Sequence, residues 1–341
     1  AADILMPAGK RTLSQWMKFA NSLRLRLAIR VSMSAPDLAR AEVAKAMDAT
    51  AGGVLESADE TVAVSTESGY KNPLGTVNEG WGEVFMGATM ESVLVGYNDP
   101  RLIKYYSKAE GGDIKDEKGN LIIAERNKIA GTYKGVPQGT GVTVKDENRY
   151  RLHSKSTITK QTDAILMTAA EVWFLRAEAA LRGFTSENVK DCYEKGITVS
   201  CQQWGVNVGD YLTSDATPSD YVDAFEAEYD VKALIKVTPK WDGGASPEEQ
   251  LERILTQKWI ACYPEGYEAW TEQRRTGYPQ LFKVFVNNSG GAIDTNIRIR
   301  RLPYPSDIQK NNPTQYSALK KALGGEDNGG TRLWWDTGRN F

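Results

Sequence analysis

The chain has 341 residues, of which 41% are hydrophobic, so it is long enough to bury a large core. Its formal net charge of −2 argues against a nucleic-acid surface, because phosphate binding depends on clustered lysine and arginine. The single histidine, His153, argues against histidine-based zinc sites and catalytic triads, and we expect it in a loop or at the surface.

Motifs for membrane spans, redox chemistry and cofactors are missing from the sequence. No stretch approaches the ~20 apolar residues of a membrane-spanning helix. Cys192, Cys201 and Cys262 have no C-x-x-C spacing, and we interpret them as small buried hydrophobic residues. The glycine-rich stretch 131–141 does not fit a phosphate-binding loop, so no cofactor is predicted. The acid-rich loops at 113–117 and 207–223 lack the EF-hand spacing, which leaves calcium there as a minor alternative.

The first third of the chain predicts helices separated by loops. Residues 11–33 have the spacing of an amphipathic helix, with an apolar stripe of Leu13, Trp16, Met17, Ala20, Leu23, Leu27 and Val31. A second helix is predicted at about 37–49, followed by a loop-like segment from 53 to 80. Residues 81–95 and 99–107 are predicted to be helical.

The middle of the chain predicts long loops around a helix pair. Glycines punctuate 108–160, which indicates exposed loops with one hairpin. A helix is predicted at about 162–182, and the segment 171–204 resembles a degenerate tetratricopeptide unit of two antiparallel helices. Residues 205–245 are predicted as loop with a short helix at 218–236.

The last third contains the clearest helix start. Ser246, Pro247 and Glu249 form an N-cap, a first-turn proline and a reciprocal glutamate, and the following helix breaks at Pro264 and Gly266. Another helix is predicted at 313–323. Four tryptophans are assigned to the core, either on helix stripes or in a docked tail: Trp173, Trp259, Trp334 and Trp335.

Two arginine pairs admit two interpretations. Arg274-Arg275 and Arg300-Arg301 could hold an acidic ligand through bidentate guanidinium groups. We favour the alternative, in which they tie loops to helix ends and buried carboxylates.

Aromatic residues in loops are the candidate ligand-binding residues. An aromatic ring can stack on the C–H face of a sugar while neighbouring polar groups bond its hydroxyls. The candidates lie beside Gly, Asn or Pro: Tyr70, Trp81, Tyr133, Trp204, Tyr211 and Trp241, with Tyr97 as a seventh. We predict that at least two of them contribute to a ligand surface.

Several segments, in matching order and spacing, resemble the SusD/RagB family. The resemblance is carried by QKWIACYPEGYEAWTEQRRTGYP (257–279), WMKFANSLRLRLAIRVS (16–32), NPLGTVNEGW (72–81), VLVGYNDPRL (93–102), YKGVPQG (133–139), TDAILMTAAEVWFLRAEAALRG (162–183), RRLPYPSDIQKNNPTQY (300–316) and TRLWWD (331–336). It implies one all-α, mainly helical domain over 1–341, with tetratricopeptide-like helix pairs and long irregular loops. It also implies that the full protein is longer, with an N-terminal signal peptide and a lipid-bearing cysteine that anchors it at the cell surface.

The favoured hypothesis is a non-enzymatic surface protein that binds oligosaccharides for a TonB-dependent, SusC-like outer-membrane transporter, which is the partner that the resemblance implies. Three alternatives stay open: a peptide-binding member of the same family, a helical glycoside-active enzyme, and a tetratricopeptide scaffold for protein partners. An enzyme would need a pair of carboxylates, and the candidates are Glu79, Asp99, Asp163, Glu265 and Glu268.

Overall fold

Helices dominate the structure, a computed structural model that describes residues 3–6, 9–141 and 148–341. The described helices are α1 (Leu13–Arg30), α2 (Pro36–Ala46), α3 (Pro73–Trp81), α4 (Ala88–Gly96), α5 (Leu102–Tyr105), α6 (Ala169–Leu181), α7 (Val189–Gln203), α8 (Pro247–Ala261), α9 (Gly266–Thr276), α10 (Ser306–Asn311) and α11 (Pro313–Leu323). Four short strands form two antiparallel pairs, β1 (Val62–Val64) with β4 (Ala164–Met167) and β2 (Ile114–Lys115) with β3 (Leu121–Ile123). The mainly helical fold class is confirmed.

Helix starts follow the local capping chemistry. Ser246 and Glu249 form the predicted capping box at α8, with Pro247 in the first turn. The helix predicted at 162–182 starts later, because β4 occupies its first residues and the Thr168 hydroxyl then accepts a hydrogen bond from the Glu171 N–H (3.1 Å).

Two other predicted segments are wrong. The loop predicted at 53–80 contains β1 and α3, and the Asn72 side chain caps α3 by accepting from the Leu74 N–H (3.0 Å). The helix predicted at 218–236 is reduced to a single turn, Ala227–Tyr229. There the Asp223 carboxylate accepts from the backbone of Phe225 and of Glu226, which favours a turn over a continuous helix.

The main core lies where α1, α2, α6, α7 and α8 meet, and the Phe174 ring of α6 lies at its centre. A side chain on Gly196 of α7 would come within 2.8 Å of this ring, so glycine permits the close approach of the two helices. All three cysteines are buried and free, as predicted.

The apolar stripe predicted on α1 faces solvent in the described structure, so that prediction is wrong. Leu25, Ala28 and Ile29 of α1 are buried instead. The buried side also carries ion pairs, because Arg26 Nε donates to Glu171 Oε1 at 2.6 Å and Arg30 pairs with Glu268. The buried side of α1 therefore combines apolar residues with arginines that are paired to buried carboxylates.

Two aromatic predictions are also corrected. His153 lies in a loop, as one of the two expected positions, but it is only 2% exposed because its ring packs against Tyr150 and Phe225. Trp334 is 69% exposed and is not a core residue, whereas Trp335 is half-buried over Arg274. Among the described helices, none has the length and apolarity to cross a bilayer.

Candidate functional site

Three of the four arginines in the two pairs have the structural role that the sequence favoured. Arg275 is buried and paired with Glu178 and Glu272, while Arg300 pairs with Asp336. Arg301 pairs with Asp327 at 2.6 Å. These pairs fasten α9 and the C-terminal segments to the helical core.

A groove lies beside the bend between α8 and α9. Trp259 near the end of α8 and Trp270 of α9 both line it, because the chain reverses through Pro264 between the two helices. The groove has a volume of about 830 Å³, within the range of ligand pockets. The Trp270 indole N–H donates to the Ile299 carbonyl (3.1 Å), which fixes the ring against the loop that follows α9.

The groove combines an apolar wall with a polar rim. Its wall is made of aromatic and aliphatic side chains: Met90, Trp259, Trp270, Phe282, Val284, Val286 and Ile293. Its rim carries amide, hydroxyl and charged side chains: Gln138, Asn287, Asn288, Ser289, Asp294, Thr295 and Arg298. Such a surface suits a ligand that has one apolar face and polar edges.

Backbone hydrogen bonds hold the segment 282–286 against two other parts of the chain. The Phe282 N–H donates to the Thr89 hydroxyl of α4 (3.0 Å). The N–H groups of Phe285 and Val286 donate to the carbonyls of Gln138 and Gly139, at 3.0 and 2.8 Å. The apolar wall is thus held in place where three segments that are far apart in the sequence meet.

The loop of residues 287–295, which carries most of the polar rim, is held together by its own hydrogen bonds. The Asn287 amide donates to the Ile293 carbonyl (2.8 Å) and to the Thr295 hydroxyl (3.0 Å). The Ser289 N–H donates to the Asn287 side-chain oxygen (3.0 Å). The loop is therefore closed before any ligand arrives, which lowers the entropic cost of binding.

Two of the sequence-predicted ligand residues are exposed, but neither lines the groove. Trp81 ends α3 and is 64% exposed, and Tyr70 lies in the turn before that helix. Both remain accessible to a ligand.

The other predicted aromatics contact the core. Tyr133, Trp204 and Trp241 are half-buried against the main core, and Trp204 meets the Tyr105 ring edge-on at 4.8 Å. No ring contact joins two of the six predicted residues in the described part of the chain.

The structure argues against Tyr211 and Tyr97 as ligand platforms. Tyr211 is 5% exposed, and its hydroxyl donates to Asp99 (2.8 Å) and accepts from the Gln257 amide. Tyr97 is also buried, with its hydroxyl on the Val237 carbonyl (2.6 Å). Position in a glycine-rich or loop segment failed to indicate exposure because these loops fold onto the helices.

The sequence analysis did not identify Trp270 or the 282–299 loop as candidate ligand-binding residues. It assigned the segment 257–279 only to helices and to the core. Trp259 does pack against the core, as predicted, but it also lines the groove. The usable signal was the pair of tryptophans on either side of Pro264. A helix reversal between them brings both onto one concave surface.

The described residues around the groove offer few side chains for metal binding or acid–base catalysis. Within the described ranges, no group of three or more His, Cys, Asp or Glu side chains is arranged to hold a metal ion. Asp294 is the only carboxylate among the described lining residues. Burial lowers the pKa of the Arg298 guanidinium, which lies at the edge of the groove.

Comparison with known proteins gives a consistent result. The family model described as SusD-like, SusD and RagB outer membrane lipoprotein, matches residues 8–336. A SusD homologue from Bacteroides vulgatus is 53% identical, with a TM-score of 0.87 over 97% of this chain and 64% of its own. A chitin-binding SusD homologue from Flavobacterium johnsoniae is 37% identical, with a TM-score of 0.85 over 96% of this chain and 65% of its own.

A third structure, a SusD homologue from Bacteroides thetaiotaomicron, is 34% identical, with a TM-score of 0.83 over 95% of this chain and 66% of its own. The chain thus spans about two thirds of the length of these relatives. Among curated proteins no sequence matches it. The extent of the family match and the identity to solved members show that this chain belongs to the SusD-like family of outer membrane lipoproteins.

Proposed function

We propose that this protein binds oligosaccharides without transforming them, and that the groove between Trp259, Trp270 and the 282–299 loop is a glycan-binding surface. The observation that carries the proposal is the pairing of an aromatic wall with an amide and hydroxyl rim. A sugar ring has a C–H face that stacks on indole and hydroxyl edges that bond amides. The chitin-binding relative supports a glycan as the ligand class.

The carboxylate content of the groove favours binding over hydrolysis. Glycoside hydrolysis requires two carboxyl groups about 5–10 Å apart on either side of the bond that is cleaved. Asp294 alone, among the described lining residues, offers a carboxylate. This composition favours the non-enzymatic hypothesis over the glycoside-active one.

The cellular role rests on the family. We propose that the full protein is lipid-anchored at the outer membrane surface and delivers its glycan to a TonB-dependent, SusC-like transporter. The family description as outer membrane lipoproteins supports this location. The packed pair α6 and α7, which overlaps the segment 171–204, is proposed as a tetratricopeptide-like unit of a single domain.

Exposed aromatics elsewhere extend the proposal. Trp81 and Tyr70, at the two ends of the α3 region, could hold a second part of a long polysaccharide. The half-buried Tyr133, Trp204 and Trp241 would contribute only through their exposed edges.

Isothermal titration calorimetry against soluble oligosaccharides of several linkages, chitin oligosaccharides included, tests the proposal. We expect saturable binding to at least one glycan, no binding to a mixture of peptides, and no released product after long incubation. Peptide binding without glycan binding would favour the peptide-binding alternative. New, shorter oligosaccharides in the incubation would instead show a glycoside-active enzyme.

A further inference from the structure

A second cavity, of about 470 Å³, adjoins the groove and shares Gln273, Leu281, Thr295 and Arg298 with it. Its described lining contains no carboxylate. It contains six cationic side chains: Arg274, Arg275, Lys283, Arg298, Arg300 and Arg332.

Three of these cations are paired with carboxylates that do not line the cavity. Arg275 pairs with Glu178 and Glu272, each at 2.7 Å. Arg300 and Arg332 share Asp336, with Arg300 at 2.6 Å. Each of the three therefore has a carboxylate partner before a ligand enters, and the single carboxylate of Asp336 serves two of them.

Arg274 has no ion-pair partner among the described residues. It is buried and donates to the Arg300 carbonyl (2.6 Å) and to the Thr271 hydroxyl (3.1 Å), while its Nε is buried without an acceptor. Its guanidinium lies 3.7 Å from the centroid of the Trp270 ring. Burial, and then the charge of Arg300, lower the pKa of Arg274 to about 10.

Arg298 and Lys283 are also without a carboxylate partner in the described part of the chain. Arg298 donates to the Gln138 side-chain oxygen (2.6 Å) and to the Phe282 carbonyl, both of which are neutral acceptors. The Lys283 ammonium lies 4.8 Å from the centroid of the Phe285 ring and is exposed. Three uncompensated cations therefore surround one partly enclosed cavity.

These three cations lack counter-ions among the described residues, which is unfavourable in a partly enclosed cavity. Like charges in a space shielded from water repel one another more strongly than on an open surface, and a buried guanidinium without a counter-ion carries a desolvation cost. A bound anion relieves both effects, and a carboxylate or sulfate can accept from a guanidinium in a bidentate manner. The shape and charge of the cavity thus select a ligand with an anionic group.

We propose that this cavity binds the carboxylate or sulfate of an acidic sugar, while the adjoining groove holds the apolar face of a neighbouring ring in the same chain. The inference rests on the proposed function and names its substrate class as acidic glycans. Arg298 lies at the junction of the two cavities and contacts both parts of the ligand.

Matched glycan pairs test the inference by calorimetry at low ionic strength. The probes are oligogalacturonate with its methyl ester, and a sulfated galactan oligosaccharide with its desulfated form, so that the second member of each pair is neutral. In at least one pair, we expect the anionic form to bind about tenfold or more tightly, because a charge-assisted hydrogen bond has roughly that effect. The preference should shrink as salt is added.

Substitution of the unpaired cations tests whether this cavity causes the preference for the anionic glycan. Arg298→Gln and Lys283→Gln should each reduce it and should together remove most of it, and Arg298→Lys should restore part of the loss at that position. Arg24→Gln is the matched control, because Arg24 pairs with Glu42 and neither residue lines the cavity. Thermal melting confirms that each variant is folded.

The outcomes separate the two levels of the proposal. Equal binding of both members in both pairs, or a preference that is undiminished in the double variant, overturns the acidic-glycan inference. If neutral glycans still bind in that case, the proposed function stands. If neither anionic nor neutral glycans bind, both proposals fail.

Discussion

Arg275 of α9 donates to both carboxylate oxygens of Glu178 in α6, with N–O distances of 2.7 Å, and both side chains are 1% exposed. This bidentate contact joins the segment that carries Trp270 to the centre of the helical core. Glu178 also accepts from Arg182 (2.8 Å), and Glu272 accepts from Arg275. The wall of the groove therefore rests on a buried ionic network.

Arg275→Met should destabilise the protein by about 3–5 kcal/mol, because it leaves Glu178 and Glu272 buried with fewer counter-charges. Urea unfolding followed by circular dichroism measures the change in the free energy of unfolding. The matched control is Lys240→Met, whose pair with Asp215 is exposed on both sides and should contribute less than about 1 kcal/mol. Similar losses in the two variants would contradict the structural role of Arg275.

His153 should make the protein sensitive to mild acid. Burial, and then the charge of Lys134, lower the pKa of this imidazole to about 3, whereas its ordinary value is 6.5. The unfolded chain binds a proton below pH 6.5 and the folded chain does not until about pH 3. The contribution of neutral His153 to stability is thus fully present above pH 6.5 and is lost as the pH falls toward 3.

A comparison of the wild type with His153→Phe isolates this effect from the titration of the carboxylates. Phenylalanine keeps the aromatic packing against Tyr150 and Phe225 and removes the proton-binding site. Between pH 7.5 and pH 4.5, we expect the wild type to lose about 2 kcal/mol more of its unfolding free energy than the variant does. Parallel pH profiles for the two proteins would show that His153 is protonated equally in both states.

Short-range sequence signals predicted the positions of helices better than they predicted which residues are exposed. The capping box at Ser246 placed α8, and the helix predicted at 313–323 is α11, because signals for helix ends act within one or two helical turns. The buried face of α1 was mispredicted because its arginines pair with carboxylates more than a hundred residues away along the chain.

The groove was hidden from sequence analysis for the same reason. Its wall needs Trp259 and Trp270 from two helices, Thr89 from α4 and Gly139 from a distant loop. The six predicted loop aromatics were chosen by their sequence neighbours alone. Tyr211 shows the limit of that criterion, because a loop can be covered by contacts that its own residues do not reveal.

Trp270→Ala should weaken glycan binding by about tenfold or more, because the sugar ring loses the aromatic surface on which it stacks. Calorimetry with the glycan that binds best measures the effect. Trp334→Ala is the matched control, since Trp334 is exposed and lies outside the groove lining. Trp81→Ala tests the second surface, and a larger loss there than at Trp270 would move the main site to the α3 region.

Gly139 should be required for the geometry of the groove. Its φ of +69° disfavours other residues, and a side chain there would come within 2.6 Å of Val284 Cγ1 and 3.0 Å of the Val286 carbonyl oxygen. Gly139→Ala should therefore displace the 284–286 wall and lower glycan affinity, in addition to a destabilisation of about 1–2 kcal/mol from the backbone strain.

Gly119→Ala is the control that separates the effect of backbone strain from the effect of a displaced groove wall. Gly119 also has a positive φ, +83°, but nothing lies within 4 Å of a side chain placed there, and it belongs to the β2–β3 turn. We expect this variant to lose a similar amount of stability from strain and to keep the wild-type affinity. If both variants bind glycan as the wild type does, contact between Gly139 and the 284–286 segment does not set the shape of the binding surface.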